Sequence, residues 1–278
     1  MNGKEVDPAS SPLARFGAEL RRSRRAKGWS QVATAERMGY SNTLVSYLER
    51  GKRPPTKNFA VKADEVFETG GTFYELWRRY SRAALLEGFE EFADCEARCR
   101  KLQTFELVVI PGLLQIPAYA DALAAAAVMR GSITQDQADE RATFLANRQR
   151  MLTQKVRPTV HAVIDEGCLL RPIGGAKVMV RQLLHLEDLA VQPNITIQIA
   201  QFSLAEHRPF AHPITLLTLP DHSVVAYTES QQRGYLERSR DAVSAWDRDY
   251  DQLQVESLPK MASLRLIREA RKELEREC

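Results

Sequence analysis

Asn42, Thr43, Ser46 and Tyr47 are the residues of this chain whose types and spacing point most directly to a chemistry. At i, i+1, i+4 and i+5 they fall on one side of a helix, and each carries a hydrogen-bonding group. An outward row of such groups near a helix N-terminus is what a recognition helix presents to base edges in the major groove. The elements that must position them are legible in the flanking residues. Ser30 is a suitable N-cap for a first helix over Gln31–Met38, and Gly39 supplies the positive φ of a tight turn. Ser41 caps a second helix over Asn42–Arg50, Gly51 stops it, and Leu44, Val45 and Leu48 form its buried stripe. The spacing predicts a helix-turn-helix over residues 30–53.

Capped helices around a glycine turn also occur in helical domains that read no DNA, so local charge decides between the two. From Arg15 to Lys57, eleven Lys and Arg stand against Glu19, Glu36 and Glu49, about +8 on a chain whose formal net charge is +3. A basic footprint around the motif is the electrostatic half of duplex binding.

Residues 16–80 resemble the XRE/Cro-repressor type of five-helix domain. The resemblance is carried by Trp29-Ser30-Gln31, by Met38-Gly39-Tyr40-Ser41, by the run from Val45 to Pro55, and by a late helix at 72–80. It implies that Gln31 and the Ser41 backbone hold phosphates, that Asn42, Thr43, Ser46 and Tyr47 face bases, and that Lys52 and Arg53 lie along the DNA backbone. Ser23 and Thr34 stand where that family usually has a large aliphatic residue. Phe16, Leu20, Trp29 and Met38 are the side chains expected to fill the contact between the first two helices.

A chain of 278 residues is too long for this module alone, so a second domain is expected. A hydrophobic content of 44% with 27% charged residues is ordinary for a soluble globular protein. No apolar run approaches the roughly 20 residues of a membrane span. Residues 1–12 are polar, lack the apolar core of a signal peptide and read as a short disordered tail. A cytoplasmic protein is expected.

Leu76, Tyr80, Leu85, Phe89 and Phe92 recur near helical spacing, which predicts a helical connector over 74–102. Val108 to Ile110 read as the end of a β-rich stretch, followed by helices at 118–129 and 134–153. Strands are expected at 159–164, at 194–200 with Thr196 and Gln198 outward, and at 214–219 and 223–228 around the turn Pro220-Asp221-His222. A helix follows the Pro172–Gly175 turn, and two more, over 235–256 and 259–277, close the chain. The fold class is a mainly α helix-turn-helix domain over 13–80, a connector over 81–102, and an α+β domain over 103–278 with a small sheet flanked by helices.

Catalytic grammar is thin in that second module. Asp165-Glu166 with Arg171 nearby suggests a nuclease-type metal site. That reading needs a further carboxylate and a lysine on the adjacent strand, and residues 195–200 offer neither; helix capping is the simpler role. The Pro172-Ile173-Gly174-Gly175 turn has the wrong spacing for a phosphate cradle, and Ser203 and Ser223 lack a nucleophile-elbow context. Cys95 and Cys99 at i, i+4 have no companion ligands. No enzyme activity, cofactor or metal is expected. The apolar segment from Ile110 to Tyr119 is either a buried plug or a partner groove, and the aggregation hazard of an exposed run favours the plug. Pro111, Gly112, Leu113, Leu114, Gln115 and Arg171 are the candidates for holding a partner or effector.

The phrases at 108–123, 148–152, 162–186, 194–202 and 214–221 are similar to the antitoxin-like C-terminal domain, of formally unknown function, of actinobacterial XRE-type regulators of the WhiJ-like kind. That resemblance implies a transcription regulator often paired with a small protein of the BldB type. A sequence-specific regulator of a double-stranded DNA operator is therefore expected. It should be a homodimer, because one recognition helix reads too few base pairs. An antitoxin that represses its own operon, a one-component small-molecule sensor and a DNA-targeted enzyme are the alternatives.

Overall fold

The computed structural model describes residues 12–82, 88–230 and 233–276, and the chain divides into two compact units, 1–85 and 86–278. Leu85, Cys278 and the expected tail apart from Pro12 lie outside the described residues. Among the described residues, no helix is long and apolar enough to cross a membrane.

The first unit contains α1 (Pro12–Ala26), α2 (Gln31–Met38), α3 (Asn42–Glu49), α4 (Lys57–Phe67) and α5 (Thr72–Arg82). Hydroxyl caps start the middle three: Ser30, Ser41 and Thr56 accept from the backbone N–H groups of Ala33, Leu44 and Phe59. The Asp64 carboxylate does the same for α5, accepting from the N–H groups of Phe73 and Tyr74 at 2.8 Å each. Gly39 sits at φ 74° and turns the chain from α2 toward α3, as expected.

Phe16, Leu20, Met38, Val45, Leu48, Phe59, Phe67 and Phe73 form the core, with Trp29 and Leu44 on its margin. Phe16 meets Phe73 edge-on with ring centroids 5.4 Å apart. Thr34 is fully buried and remains satisfied because its hydroxyl donates to the Ser30 carbonyl at 3.0 Å.

Gly17 sets how closely α1 crosses α3. A Cβ there would run into the Leu48 carbonyl and lie 2.9 Å from that of Glu49. Gly→Ala inside a helix ordinarily stabilises by about 0.5–1 kcal/mol. Here the clash with backbone reverses the sign. Gly17→Ala is expected to lower the stability of the first unit by about 2 kcal/mol. Urea unfolding checks this, and an unchanged or raised midpoint would refute the close crossing.

The second unit contains α6 (Phe89–Glu96), β1 (Lys101–Glu106), α7 (Pro117–Met129), α8 (Gln135–Gln149), β2 (Thr159–Asp165), α9 (Gly167–Leu170) and α10 (Ala176–Ala190). It continues with β3 (Ile195–Ala200), β4 (Ile214–Thr218), β5 (Val224–Glu229), β6 (Gly234–Glu237), α11 (Arg240–Glu256) and α12 (Lys260–Glu275). The described strands form one six-stranded mixed sheet in the order β3-β2-β1-β4-β5-β6. β1, β2 and β3 run parallel through helical crossovers, while β4, β5 and β6 pair antiparallel.

Strand alternation divides the core in two. Leu102, Ala162, Ile164, Ile197, Ile199, Leu217, Val225 and Tyr227 pack on one face with Met179 and Leu183 of α10 and Ile267 of α12. Phe105, Val163, Leu216 and Ala226 pack on the other with Val243, Tyr250 and Leu253 of α11.

Four expectations change. The continuous connector over 74–102 is broken. Helix α5 ends at Arg82, Gly88 takes φ 86°, a separate α6 follows, and residues 101–106 are strand. The apolar residues read as one stripe serve two bodies: Leu76 packs on the core of the first unit, Phe89 and Phe92 on that of the second. Val108 to Ile110 are not strand, because the sheet stops at Glu106 and the chain dives inward at Ile110. Gln198 is buried and bonds His161 at 2.7 Å, since α11 covers the face expected to be outward. Finally, residues 234–237 form β6, and the helix expected from 235 begins at Arg240; Tyr235 pairs with Thr228 instead.

Candidate DNA-reading surface and the Pro111–Gln115 segment

Helix α3 places Asn42, Thr43, Ser46 and Tyr47 on one side of the first unit. Asn42, Thr43 and Tyr47 are exposed and Ser46 is half-buried, while Val45 and Leu48 face the core. Tyr47 is 41% exposed and lies under the Arg50 guanidinium, 5.3 Å from the ring centroid, which holds both side chains at the same rim. Lys52 and Arg53 follow, exposed. Ser41 spends its hydroxyl on the α3 cap, so its contribution toward an anion would be the backbone at a helix N-terminus. Gln31 opens α2, half-buried, and its amide donates to Glu49 at 2.8 Å.

Glu49 is the residue that sequence reasoning missed. It is 2% exposed at the end of α3, and its carboxylate takes both Arg24 (Nε, and Nη2 at 3.0 Å) and Gln31, with Arg21 Nε 3.6 Å away. Arg21 also donates to the Glu49 carbonyl. One carboxylate thus ties α1 and α2 to the C-terminal end of α3. The signal was present: Glu49 stands four residues after Val45 and beside Leu48, on the buried side of its own helix.

This hub divides the basic footprint. Arg21 and Arg24 are neutralised by Glu49, Arg22 by Glu19 and Lys27 by Glu68. Among the described residues Arg37, Arg50, Lys52 and Arg53 have no acidic partner, and the last three follow directly on α3. Removing the hub would leave Arg24, 14% exposed, without its counter-charge. Glu49→Ala is expected to cost about 3 kcal/mol, the scale for breaking a buried pair from one side. A loss within about 0.5 kcal/mol of zero in denaturant unfolding would show that the hub carries no weight.

In the second unit, Pro111, Gly112, Leu113, Leu114 and Gln115 follow the expected plug. All but Gly112 are buried, and residues 112–114 make a single 3-10 turn. An irregular segment can lie inside only if its backbone finds partners. Gln149 donates to the Gly112 and Gln115 carbonyls, Gln182 donates to the Leu114 carbonyl and accepts from the Ile116 N–H, and Gln115 donates back to Ile110. Pro111, Gly112, Leu113 and Leu114 line a cavity, whereas Gln115 turns its amide into the protein. Arg171 is exposed and braces the carbonyls of Leu107 and Val108, both at 3.1 Å.

Asp165 accepts from the Gly167 N–H at the start of α9 and pairs with Arg208 at 2.7 Å, and Glu166 accepts from the Phe202 N–H. Glu166, the residue before α9, does not cap that helix with its side chain; the two acids instead hold backbone N–H groups and an arginine nearby. Cys95 lies within α6 and Cys99 beyond its end, both buried; burial, with Glu96 nearby, pushes the Cys99 thiol up to about 12. Burial likewise pushes the Cys168 thiol up to about 12. His161, to which the sequence assigned no role, joins Gln198 and Tyr250 in a buried hydrogen-bonded group.

Residues 15–73 match a helix-turn-helix domain, the stretch that contains the α2–α3 motif, and residues 89–269 match a domain of unknown function, DUF5753. Comparison with curated proteins and with solved structures gives no match. The second match spans well over half of the sequence and coincides with the α+β unit, so the chain belongs to the DUF5753 family, with a helix-turn-helix domain preceding the family's own.

Proposed function

We propose that this protein is a cytoplasmic, sequence-specific transcription regulator that binds a double-stranded DNA operator as a homodimer. In this reading the DUF5753 unit receives a signal. The observation that carries the proposal is the juxtaposition on α3: a row of hydrogen-bonding side chains, exposed except for half-buried Ser46, running into Arg50, Lys52 and Arg53, which no acid among the described residues neutralises. Asn42, Thr43, Ser46 and Tyr47 read base edges. Lys52 and Arg53 hold phosphates, with the N-terminal ends of α2 and α3, at Gln31 and Ser41, as further backbone anchors. The cavity behind Pro111–Leu114 favours a small molecule as the signal. A small partner protein of the BldB type, as in the WhiJ-like actinobacterial regulators, is the second candidate; in that case the chain would act as the antitoxin-like partner.

Base readers and phosphate holders separate in a binding assay. Asn42→Ala is expected to cost about 1–3 kcal/mol on the cognate operator and little on random DNA. Arg53→Ala should weaken both alike and flatten the salt slope by about one unit. Equal losses for both variants on both DNAs would overturn the assignment. The operator is found first by genome-wide mapping of bound DNA.

Dimerisation has its own test. The full chain is expected to run as a dimer in light scattering and to bind the operator more tightly than residues 1–80, because linked half-site contacts raise effective concentration. A full chain that is monomeric both on and off DNA would refute the dimer.

A further inference from the structure

The second unit holds a cavity of about 190 Å³ on the sheet face made by β1, β4 and β5, beneath α6, α8 and the Pro111–Leu114 turn. Its walls combine apolar and aromatic side chains with charged and hydroxyl-bearing ones. Phe92 stacks on Tyr227 with centroids 4.1 Å apart, and Phe89, Leu102, Leu113 and Leu114 complete the lining. An apolar cavity of about 150 Å³ accommodates one benzene, so the space suits a single ring with a short arm.

Charge makes the cavity unusual. Arg148 reaches it, but its guanidinium is held by Glu96 through two bonds of 2.6 and 2.8 Å and lies 4.9 Å from the Phe89 ring centroid. Glu229 accepts from the Tyr227 hydroxyl at 3.0 Å and feels the charges of Arg148 and Arg141. The Glu106 carboxylate lines the same space and has no hydrogen-bond or ion-pair partner among the described residues. It is half-buried by surface area because its open side is the cavity wall, and otherwise it lies deep within the protein. Burial pushes its carboxyl up to about 8, with the nearby Glu229 adding to the rise and Arg148 opposing it; burial raises Glu229 too. Three acids thus line the space with one guanidinium, that of Arg148, which Glu96 already holds, and Glu106 is the acid left over. A buried carboxylate without donors costs free energy that a cation placed beside it removes.

We propose that this cavity binds a small organic amine, its ammonium group between Glu106 and Glu229 and its ring against Phe92, Leu113 and Leu114. Donation to carboxylates makes the ammonium contact strong, and the faces of Phe92 and Tyr227 favour a cation as well. The assignment stands on the second unit alone; combined with the regulator reading, it gives the signal a chemical class.

Calorimetry on the full-length protein at neutral pH tests it, with phenethylamine, phenethyl alcohol and phenylacetate as probes of matched size. The amine is expected to bind at least about tenfold more tightly than the alcohol, and phenylacetate more weakly still. Its binding should release protons, because the Glu106 carboxyl carries one at neutral pH; heats measured in buffers of different ionisation enthalpy read this. Glu106→Gln should weaken the amine about tenfold and leave the alcohol unchanged, and Glu229→Gln should act in the same direction. No amine binding up to about 10 mM, equal affinity for amine and alcohol, or amine affinity unchanged in both carboxamide variants would overturn the proposal. If Glu106→Gln does not fold, the amine-to-alcohol ratio in the native protein and Glu229→Gln decide. No DNA enters the assay, so failure here leaves the operator reading intact.

Discussion

The orientation of α3 is held by the carboxylate of Glu49, which Arg24 and Gln31 reach from the two preceding helices while Arg21 closes on it from the side. An eight-residue helix is too short to hold itself straight in water, so its geometry must come from what it packs on. Apolar contacts through Val45 and Leu48 supply burial, and Gly17 supplies closeness. Neither fixes rotation about the helix axis. The bonds to Glu49 do, because guanidinium and carboxylate meet in a planar, directional arrangement. Turning α3 by one residue would carry the Asn42–Tyr47 side away from solvent and the buried charge into it.

Much of this was legible in the sequence where the determinant is local. Ser30, Gly39 and Ser41 set the turn of the helix-turn-helix through their own side chains or lack of one, and the structure places each as read. The hairpin around Pro220–His222 and the strands at 159–165 and 195–200 were likewise written in turn residues and apolar alternation. What escaped depends on distant partners. β6 is four residues long and carries charge, and it is a strand only because β5 offers it a ladder. Residues 74–102 read as one helix because apolar spacing does not reveal which body each residue packs on. The inward side of Gln198 follows from α11, more than forty residues later.

The same limit hid the cavity. Glu106 continues the inward row of Leu102 and Thr104 on β1, and Glu229 that of Val225 and Tyr227 on β5. Each looks like a polar strand end when read alone. Only the sheet order, with β4 set between β1 and β5, brings the two acids to one space. Sequence reasoning did locate the roof, since the Pro111–Leu114 turn was singled out for its apolar residues outside regular structure. The side-chain amides of Gln149 and Gln182, which let that roof lie buried, carry no local signature.

The position of β1 in the sheet has a consequence for how the protein is made. It is the first strand among the described residues, yet it lies in the middle, flanked by β2 from one direction and β4 from the other. During synthesis it leaves the ribosome with neither neighbour available. Its parallel partner arrives only after two helices, and its antiparallel partner after half the domain has followed. Pairings so distant in sequence close slowly, and until they close both edges of the strand stay open to other chains. The five helices of the first unit, whose contacts are local, can form while that wait continues. A newborn molecule therefore passes through an interval in which its helix-turn-helix unit is complete and its sheet is not.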